Sequence, residues 1–151
     1  MKNSKFIKII KRIIVIKKLL FIFVVLMLAV GCTKPCSDQS KEYIKEANQL
    51  FDDWDDANRL AGTTSRIALS PAIARLQEIR REASDLQVPQ CAEKVNDMLL
   101  DYMDKTIDGY IAFMSEEDDN KVNDIFDKAS LLLDKFTKEF IALEYGSEPY
   151  D

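Results

Sequence analysis

The sequence predicts an all-α protein, an up-down-up-down four-helix bundle that follows an N-terminal signal or hydrophobic segment. After residue 41, apolar residues recur every three or four positions in four separate segments. That spacing is typical of helices packed in a bundle. Short turn signals separate the segments, and short connections make consecutive helices antiparallel neighbours. We therefore assign residues 41–145 to the bundle and residues 146–151 to a C-terminal tail.

The first predicted helix runs from residue 41 to a turn at residues 62–66. Its apolar stripe consists of Tyr43, Ala47, Leu50, Trp54, Ala57 and Ala61. Ser37 or Ser40 is expected to cap its start and Gly62 to end it, since these residue types favour those positions.

Pro89 separates the second and third predicted helices, because the residue before a proline disfavours the helical conformation. The second stripe consists of Leu69, Ala72, Leu76, Ile79, Ala83 and Leu86. Ser70 and Pro71 suit its N-cap and first turn. The third stripe consists of Ala92, Val95, Met98, Leu99, Tyr102, Met103, Ile107, Tyr110, Phe113 and Met114. Gly109 lies inside the third helix, which indicates close packing there.

The fourth predicted helix begins after residues 115–118 (SEED), which match a capping box that starts at Ser115. Its stripe consists of Val122, Phe126, Ala129, Leu133, Phe136, Phe140 and Leu143. Gly146 is the expected C-cap, because a glycine readily adopts the left-handed conformation that ends many helices.

Residues 1–31 have the pattern of an export signal. Seven basic residues and no acid occur in the first 18 positions, and residues 19–30 are uncharged and apolar. A basic segment, a short apolar segment and small residues before a cleavage site define a secretory signal peptide. As a helix the apolar run covers about 18 Å, against about 30 Å for a hydrocarbon core. An uncleaved anchor would have to extend back past Lys17 and Lys18.

Residues 28–32 (LAVGC) resemble the lipobox of bacterial lipoproteins. The resemblance implies cleavage before Cys32 and attachment of a lipid to its thiol. The mature chain would then be anchored in the cell membrane or outer membrane, facing the extracytoplasmic side, with residues 32–40 as a tether. The chain as a whole resembles small bacterial lipoproteins that carry an uncharacterised helical bundle, a likeness that implies no activity. The alternatives are a secretory cut that leaves Cys32 free and an uncleaved anchor.

If Cys32 carries a lipid, an even number of cysteines is left to form disulfides. Cys36 and Cys91 then remain, and export places them in an oxidising compartment. In an up-down-up-down bundle the first and third helices begin at the same end, which brings these two cysteines close together. We therefore predict a disulfide between Cys36 and Cys91; the alternative is a pair of free or buried thiols. The turns at residues 62–66 and at Ser115 are expected at the opposite end.

Removal of the leader makes the domain strongly acidic. The chain has 21 Lys and Arg against 26 Asp and Glu, and 7 of the bases lie in residues 1–31. The remaining 14 bases and 26 acids give a net charge of −12. Such a domain repels nucleic acid and anionic head groups, and it suits a basic protein partner or cations. The alternative is that the charge serves only solubility.

No catalytic constellation is visible in the sequence. The chain contains no histidine, which excludes a Ser-His-Asp triad and the Glu-x-x-His pairs of di-iron bundles. The acidic run at residues 52–56 lacks the glycine and the alternate spacing of a calcium loop. We therefore expect no enzyme activity, no cofactor and no metal site.

Two groups of residues are candidate ligand contacts. One is Arg66 with Thr63 and Thr64, where an arginine among hydroxyls suits a small anion, the alternative being capping and turn closure. The other is a row of carboxylates on one face of the third helix, which suits a cation or a basic ligand. This row consists of Asp97, Asp101, Asp104 and Asp108. The alternative for the row is ion pairing with arginines of the second helix.

The expected function is therefore non-catalytic binding or scaffolding by a membrane-anchored bundle. The alternative is a sensor or carrier that binds a small molecule or a cation. Trp54, Tyr102, Tyr110, Phe113 and Met114 fall on the core stripes and are interpreted as core residues. A ligand cavity among them would favour the alternative.

Overall fold

The computed structural model describes residues 36–146, and in them it confirms the all-α bundle. Its four long helices are α1 (Lys41–Thr63), α2 (Ser70–Ser84), α3 (Glu93–Met114) and α4 (Asp119–Tyr145). One helical turn, Cys36–Gln39, precedes α1. Two 3-10 turns, Arg66–Ala68 and Gln90–Ala92, lie before α2 and α3. The predicted signal segment, residues 32–35 of the tether and residues 147–151 of the tail lie outside the described residues.

Helix α3 occupies the centre of the bundle. Consecutive helices approach one another closely along the chain order, so α3 packs against both α2 and α4. It also joins α1 directly, since the Trp54 indole nitrogen donates to the Tyr102 hydroxyl at 3.2 Å. By contrast, α1 and α4 meet through the rings of Phe51 and Phe136, whose centroids are 5.6 Å apart. The core is therefore built around α3, and the α1–α4 seam is bridged by side chains.

The two ends of the bundle are distinct. At one end, the stapled end, a disulfide joins Cys36 to Cys91 with 5.8 Å between the Cα atoms, a typical separation for such a bond. This confirms the predicted pairing. At the other, the distal end, Arg66 Nη1 lies 3.4 Å from Glu116 Oε1. The α1–α2 and α3–α4 turns therefore lie together, away from the staple, as the predicted topology requires.

Ser40, the N-cap residue of α1, directs its side chain back to the preceding helical turn. Ser40 is fully buried, and both its hydroxyl and its backbone N–H donate to the Cys36 carbonyl, at 2.8 and 2.9 Å. Ser40 occupies the N-cap position of α1, as predicted, but its side chain makes no capping bond to the helix. The reason is that the preceding helical turn offers Ser40 a carbonyl acceptor, which the disulfide holds in place.

The prediction of a capping box that starts at Ser115 was wrong. Ser115 is the C-cap of α3, and the chain then reverses through Glu116 in the left-handed region, at φ 57°. Asp118 is the N-cap of α4, and its carboxylate accepts from the Asn120 N–H at 3.0 Å. The backbone N–H groups of Ser115, Glu116 and Glu117 donate to carbonyls at the end of α3, so Asp118 is the residue of the match that caps α4.

Two further helix ends differ from the prediction in detail. Gly62 lies inside α1, which continues to Thr63 because the hydroxyls of Thr63 and Thr64 donate to carbonyls of the last turn. Leu69, not Ser70, is the N-cap of α2, and Pro71 lies in the first turn as predicted. Gly146 ends α4 in the left-handed conformation, at φ 64°, which confirms that prediction.

Gly109 permits the close contact between α3 and α4. A Cβ atom at this position would lie 2.7 Å from the nearest ring atom of Phe126, well inside van der Waals contact. The Phe126 ring cannot move freely, because it packs edge-on against Tyr110 with 5.2 Å between centroids. The glycine indicated by the sequence is therefore a packing glycine.

Gly109→Ala is expected to lower the free energy of unfolding by about 1–3 kcal/mol, the usual cost of forcing extra atoms into a packed core. Denaturant unfolding measures the change. Gly62→Ala is the matched control, because its Cβ would meet only the Tyr110 hydroxyl at 3.4 Å. The cost at Gly109 should shrink when Phe126 is also changed to Leu, and an equal cost in both backgrounds would contradict the contact.

The disulfide joins two cysteines that are 55 positions apart in the sequence and so closes a long loop. Chain-entropy arguments give about 4 kcal/mol of stabilisation for a loop of this size. A Cys36→Ser/Cys91→Ser variant should therefore unfold at lower denaturant concentration and show no further loss in reductant. Non-reducing peptide mapping checks the bond itself; recovery of both thiols in alkylated form from native protein would contradict it.

Candidate functional site

The distal end gathers the first predicted group of ligand contacts. The Arg66 guanidinium lies over the Phe113 ring, 4.7 Å from its centroid, and also faces Glu116. The hydroxyls of Thr63 and Thr64 donate to the Leu60 carbonyl, at 3.1 and 2.7 Å. The threonines thus perform the capping that was the alternative to ligand binding. An anion at Arg66 stays a prediction, and it would compete with Glu116.

The carboxylates of α3 do not converge on one point. Asp104 accepts two hydrogen bonds from the Arg80 guanidinium of α2, each of 2.7 Å. Asp108 pairs with Lys105 on its own helix at 3.0 Å. Within the described part of the chain, Asp97 and Asp101 make no ion pair. The row extends over about 16 Å of helix, so a cation or basic-ligand site on this face stays a prediction.

A groove between α1 and the end of α2, which we call the acidic groove, was not predicted from the sequence. Its volume is about 480 Å³. It is lined by Glu46, Gln49, Leu50 and Asp53 of α1 with Glu82, Asp85, Leu86 and Gln87 of α2 and the following loop. The sequence feature that could have indicated this groove is the helical spacing of its α1 residues, which places them on one face of the helix. The walls would attract a positively charged group, and the leucines form an apolar floor.

Trp54, Tyr102 and Tyr110 are buried, as interpreted from the sequence, and belong to a hydrogen-bonded core. The interpretation of Met114 as a core residue was wrong, because its side chain is exposed at the end of α3. The Tyr43 hydroxyl donates to Asn96 Oδ1 at 3.4 Å, and the Tyr110 hydroxyl donates to Asn58 Oδ1 at 2.9 Å. Burial raises the pKa of Tyr43, and the charge of Asp97 raises it further. Burial also raises the pKa of Tyr102 and of Tyr110. These phenols therefore remain protonated at neutral pH and serve as neutral hydrogen-bonding groups.

A smaller groove, which we call the seam groove, opens between α1 and α4 above α3. Its volume is about 190 Å³. It is lined by Asn58, Tyr102, Thr106, Tyr110, Phe126, Ala129, Ser130 and Leu133. Five of these residues lie on predicted core stripes: Tyr102, Tyr110, Phe126, Ala129 and Leu133. A cavity among the core aromatic residues was the alternative to a filled core, and Tyr102 and Tyr110 belong to that set.

Residues 36–146 contain neither a metal-binding cluster nor a membrane-spanning helix. In this range no group of three or more acidic or cysteine side chains is arranged to hold a metal ion. No helix in the same range is long and apolar enough to cross a bilayer. The chain matches no known protein-family model, no curated protein and no solved structure.

The buried tyrosines predict alkaline destabilisation. In the unfolded chain a tyrosine ionises near pH 10, whereas the raised pKa of Tyr43 keeps it protonated in the fold. Above about pH 10 the unfolded state releases protons that the folded state retains, so stability falls as pH rises through the folded pKa. Urea unfolding between pH 7 and 11 measures this loss.

Tyr43→Phe should reduce the rate at which the free energy of unfolding falls with pH above about pH 10. This expectation does not depend on the stability of the variant at pH 7. Tyr145→Phe is the matched control, because the Tyr145 side chain is 74% exposed. A slope unchanged by Tyr43→Phe would show that this tyrosine does not couple folding to pH.

Proposed function

We propose that the chain is a bacterial lipoprotein, anchored by a lipid on Cys32, whose bundle binds or scaffolds a partner on the extracytoplasmic side without catalysis. The observation that carries the proposal is the disulfide between Cys36 and Cys91. It accounts for two of the three cysteines and leaves the one at the lipobox position. Structural disulfides also occur mainly in oxidising compartments outside the cytosol, which supports export.

The tether defines which end of such a lipoprotein would face the membrane. Only three residues, 33–35, separate Cys32 from the staple. At about 3.5 Å per residue they span at most about 15 Å. The stapled end would therefore lie near the bilayer and the distal end would face outward. Two-chain lipidation supports stable anchoring, since one chain alone binds only marginally.

Exposed apolar side chains at the distal end support a binding role. Ile67 is 97% exposed in the turn before α2, and Leu60 is 62% exposed near the end of α1. Met114, at the end of α3, is also exposed. Exposed apolar groups framed by charge are typical of contact surfaces, and the acidic surroundings favour a basic partner.

The alternative function is a sensor or carrier for a cation or a small molecule. The acidic groove is the observation that favours it, because four carboxylates line a cleft with an apolar floor. A positively charged ligand with a hydrocarbon body fits that chemistry.

The lipid proposal is tested by growing cells that express the full chain with a fatty-acid analogue that can be detected after labelling. The chain should carry the label, lose residues 1–31 and sediment with membranes. Cys32→Ser should abolish the label and retain the leader, because the thiol accepts the lipid. Thr33→Ser is the neighbouring control and should behave like the unchanged chain. An unlabelled chain with an intact leader would reject the proposal.

A further inference from the structure

The seam groove exists because α4 presents small side chains where it faces α1. Toward the stapled end, the rings of Phe51 and Phe136 close the seam. Toward the distal end, α4 presents Ala129 and Ser130, and α1 presents Asn58. None of these three side chains is large enough to replace a ring pair. A gap therefore remains over α3.

The walls of the seam groove are held in place by contacts outside it. The Tyr110 ring packs edge-on against Phe126, and its hydroxyl donates to both the carbonyl and the amide oxygen of Asn58. The Tyr102 hydroxyl accepts from Trp54. The close α3–α4 approach at Gly109 keeps Phe126 against α3. Neither wall can collapse into the gap without breaking one of these contacts, so the groove is a preformed site.

The lining of the seam groove is uncharged, and three of its eight residues are aromatic. None of its eight side chains carries a charge, although charged residues make up 31% of the chain. Its floor consists of Tyr102, Thr106 and Tyr110, all buried. A charged ligand would lose its hydration here without gaining a counter-charge. A neutral planar ring would gain contact with aromatic faces and edges.

Two polar groups at the mouth of the groove lack protein partners. The Asn58 amide oxygen accepts from Tyr110, but no acceptor for its amide nitrogen occurs among the described residues. In the same part of the chain, the Ser130 hydroxyl makes no hydrogen bond. Both can donate to an oxygen atom of a ligand. Hydrogen bonds at the mouth would thus orient a ligand, and the interior of the groove would bind it by apolar contact.

We propose that the seam groove binds a neutral molecule with a single aromatic ring and one hydrogen-bonding oxygen. Its volume of about 190 Å³ is somewhat larger than the roughly 150 Å³ of an apolar cavity that holds benzene. The ring would lie between Tyr102, Tyr110 and Phe126, and its oxygen would face Asn58 and Ser130. This inference rests on the alternative proposed function, a sensor or carrier of a small molecule, and names the ligand class.

Benzyl alcohol is the probe that tests this inference, with benzoate and benzylammonium as charged analogues of nearly the same size. Trp54 is the only tryptophan of the chain and donates to Tyr102 on the groove floor, so its fluorescence reports occupancy. The full chain in lipid nanodiscs should show a saturable change with benzyl alcohol. Each charged analogue should bind at least about tenfold more weakly.

Ser130→Leu should fill the groove and weaken benzyl alcohol binding about tenfold or more. Asn58→Leu, on the opposite wall, should do the same, so the test does not depend on one variant folding normally. Ala74→Leu is the matched control, because Ala74 is exposed on α2 and does not line the groove. It should bind like the unchanged chain, and any partition of the probe into lipid is common to all variants.

Three results would overturn the inference. The first two are a fluorescence change that does not saturate with benzyl alcohol and an equal fluorescence change in Ser130→Leu and Ala74→Leu. The third is that benzylammonium binds most tightly of the three probes and that salt abolishes its binding. The last would assign binding to the acidic surface. The anchor is judged separately from fatty-acid labelling. A labelled chain without benzyl alcohol binding would reject the ligand class alone, and an unlabelled chain that binds it would reject the anchor alone.

Discussion

The central position of α3 is the constraint on which the rest of the bundle depends. Helix α3 packs against the three other long helices, and the polar side chains on its packed face have to be satisfied inside the protein, because an unpaired buried donor or acceptor is costly. Asn96 accepts from Tyr43, the Thr106 hydroxyl donates to its own helix, and Tyr102 accepts from Trp54. Two of these three bonds dock α1 against α3. The position of α1 is thus determined by hydrogen bonds as well as by apolar burial.

The same constraint explains why the contacts of α4 differ from those of α1. At Gly109 the absence of a side chain lets the Phe126 ring of α4 approach the α3 backbone. Helices α1 and α4 both contact α3, and the rings of Phe51 and Phe136 bridge α1 and α4. Where the sequence supplies small residues instead, the seam stays open. The groove is therefore a consequence of packing around one central helix.

Much of the fold was predictable because it follows from local patterns. Helix number, order and direction follow from apolar spacing and short connections, and Gly109 and Gly146 were identified from residue type alone. The disulfide also followed, since topology places Cys36 and Cys91 at one end. The helix caps were less predictable. Ser115 matches a capping box locally, but α3 extends far enough to use it as a C-cap. Ser40 was likewise diverted by a carbonyl that the local pattern does not reveal.

The sequence by itself determined the helical bundle, the acidity of the domain and the pairing of its cysteines, because periodicity, charge and residue number are readable without coordinates. Only the tertiary structure decided which candidate residues meet. It joined Arg66 to Glu116 and Phe113, joined Asp104 to Arg80, and left Asp97 and Asp101 without an ion pair among residues 36–146. It also created both grooves, since a gap depends on the relative size and position of side chains from different helices. Those distances arise from packing and are not encoded in the spacing of any one segment.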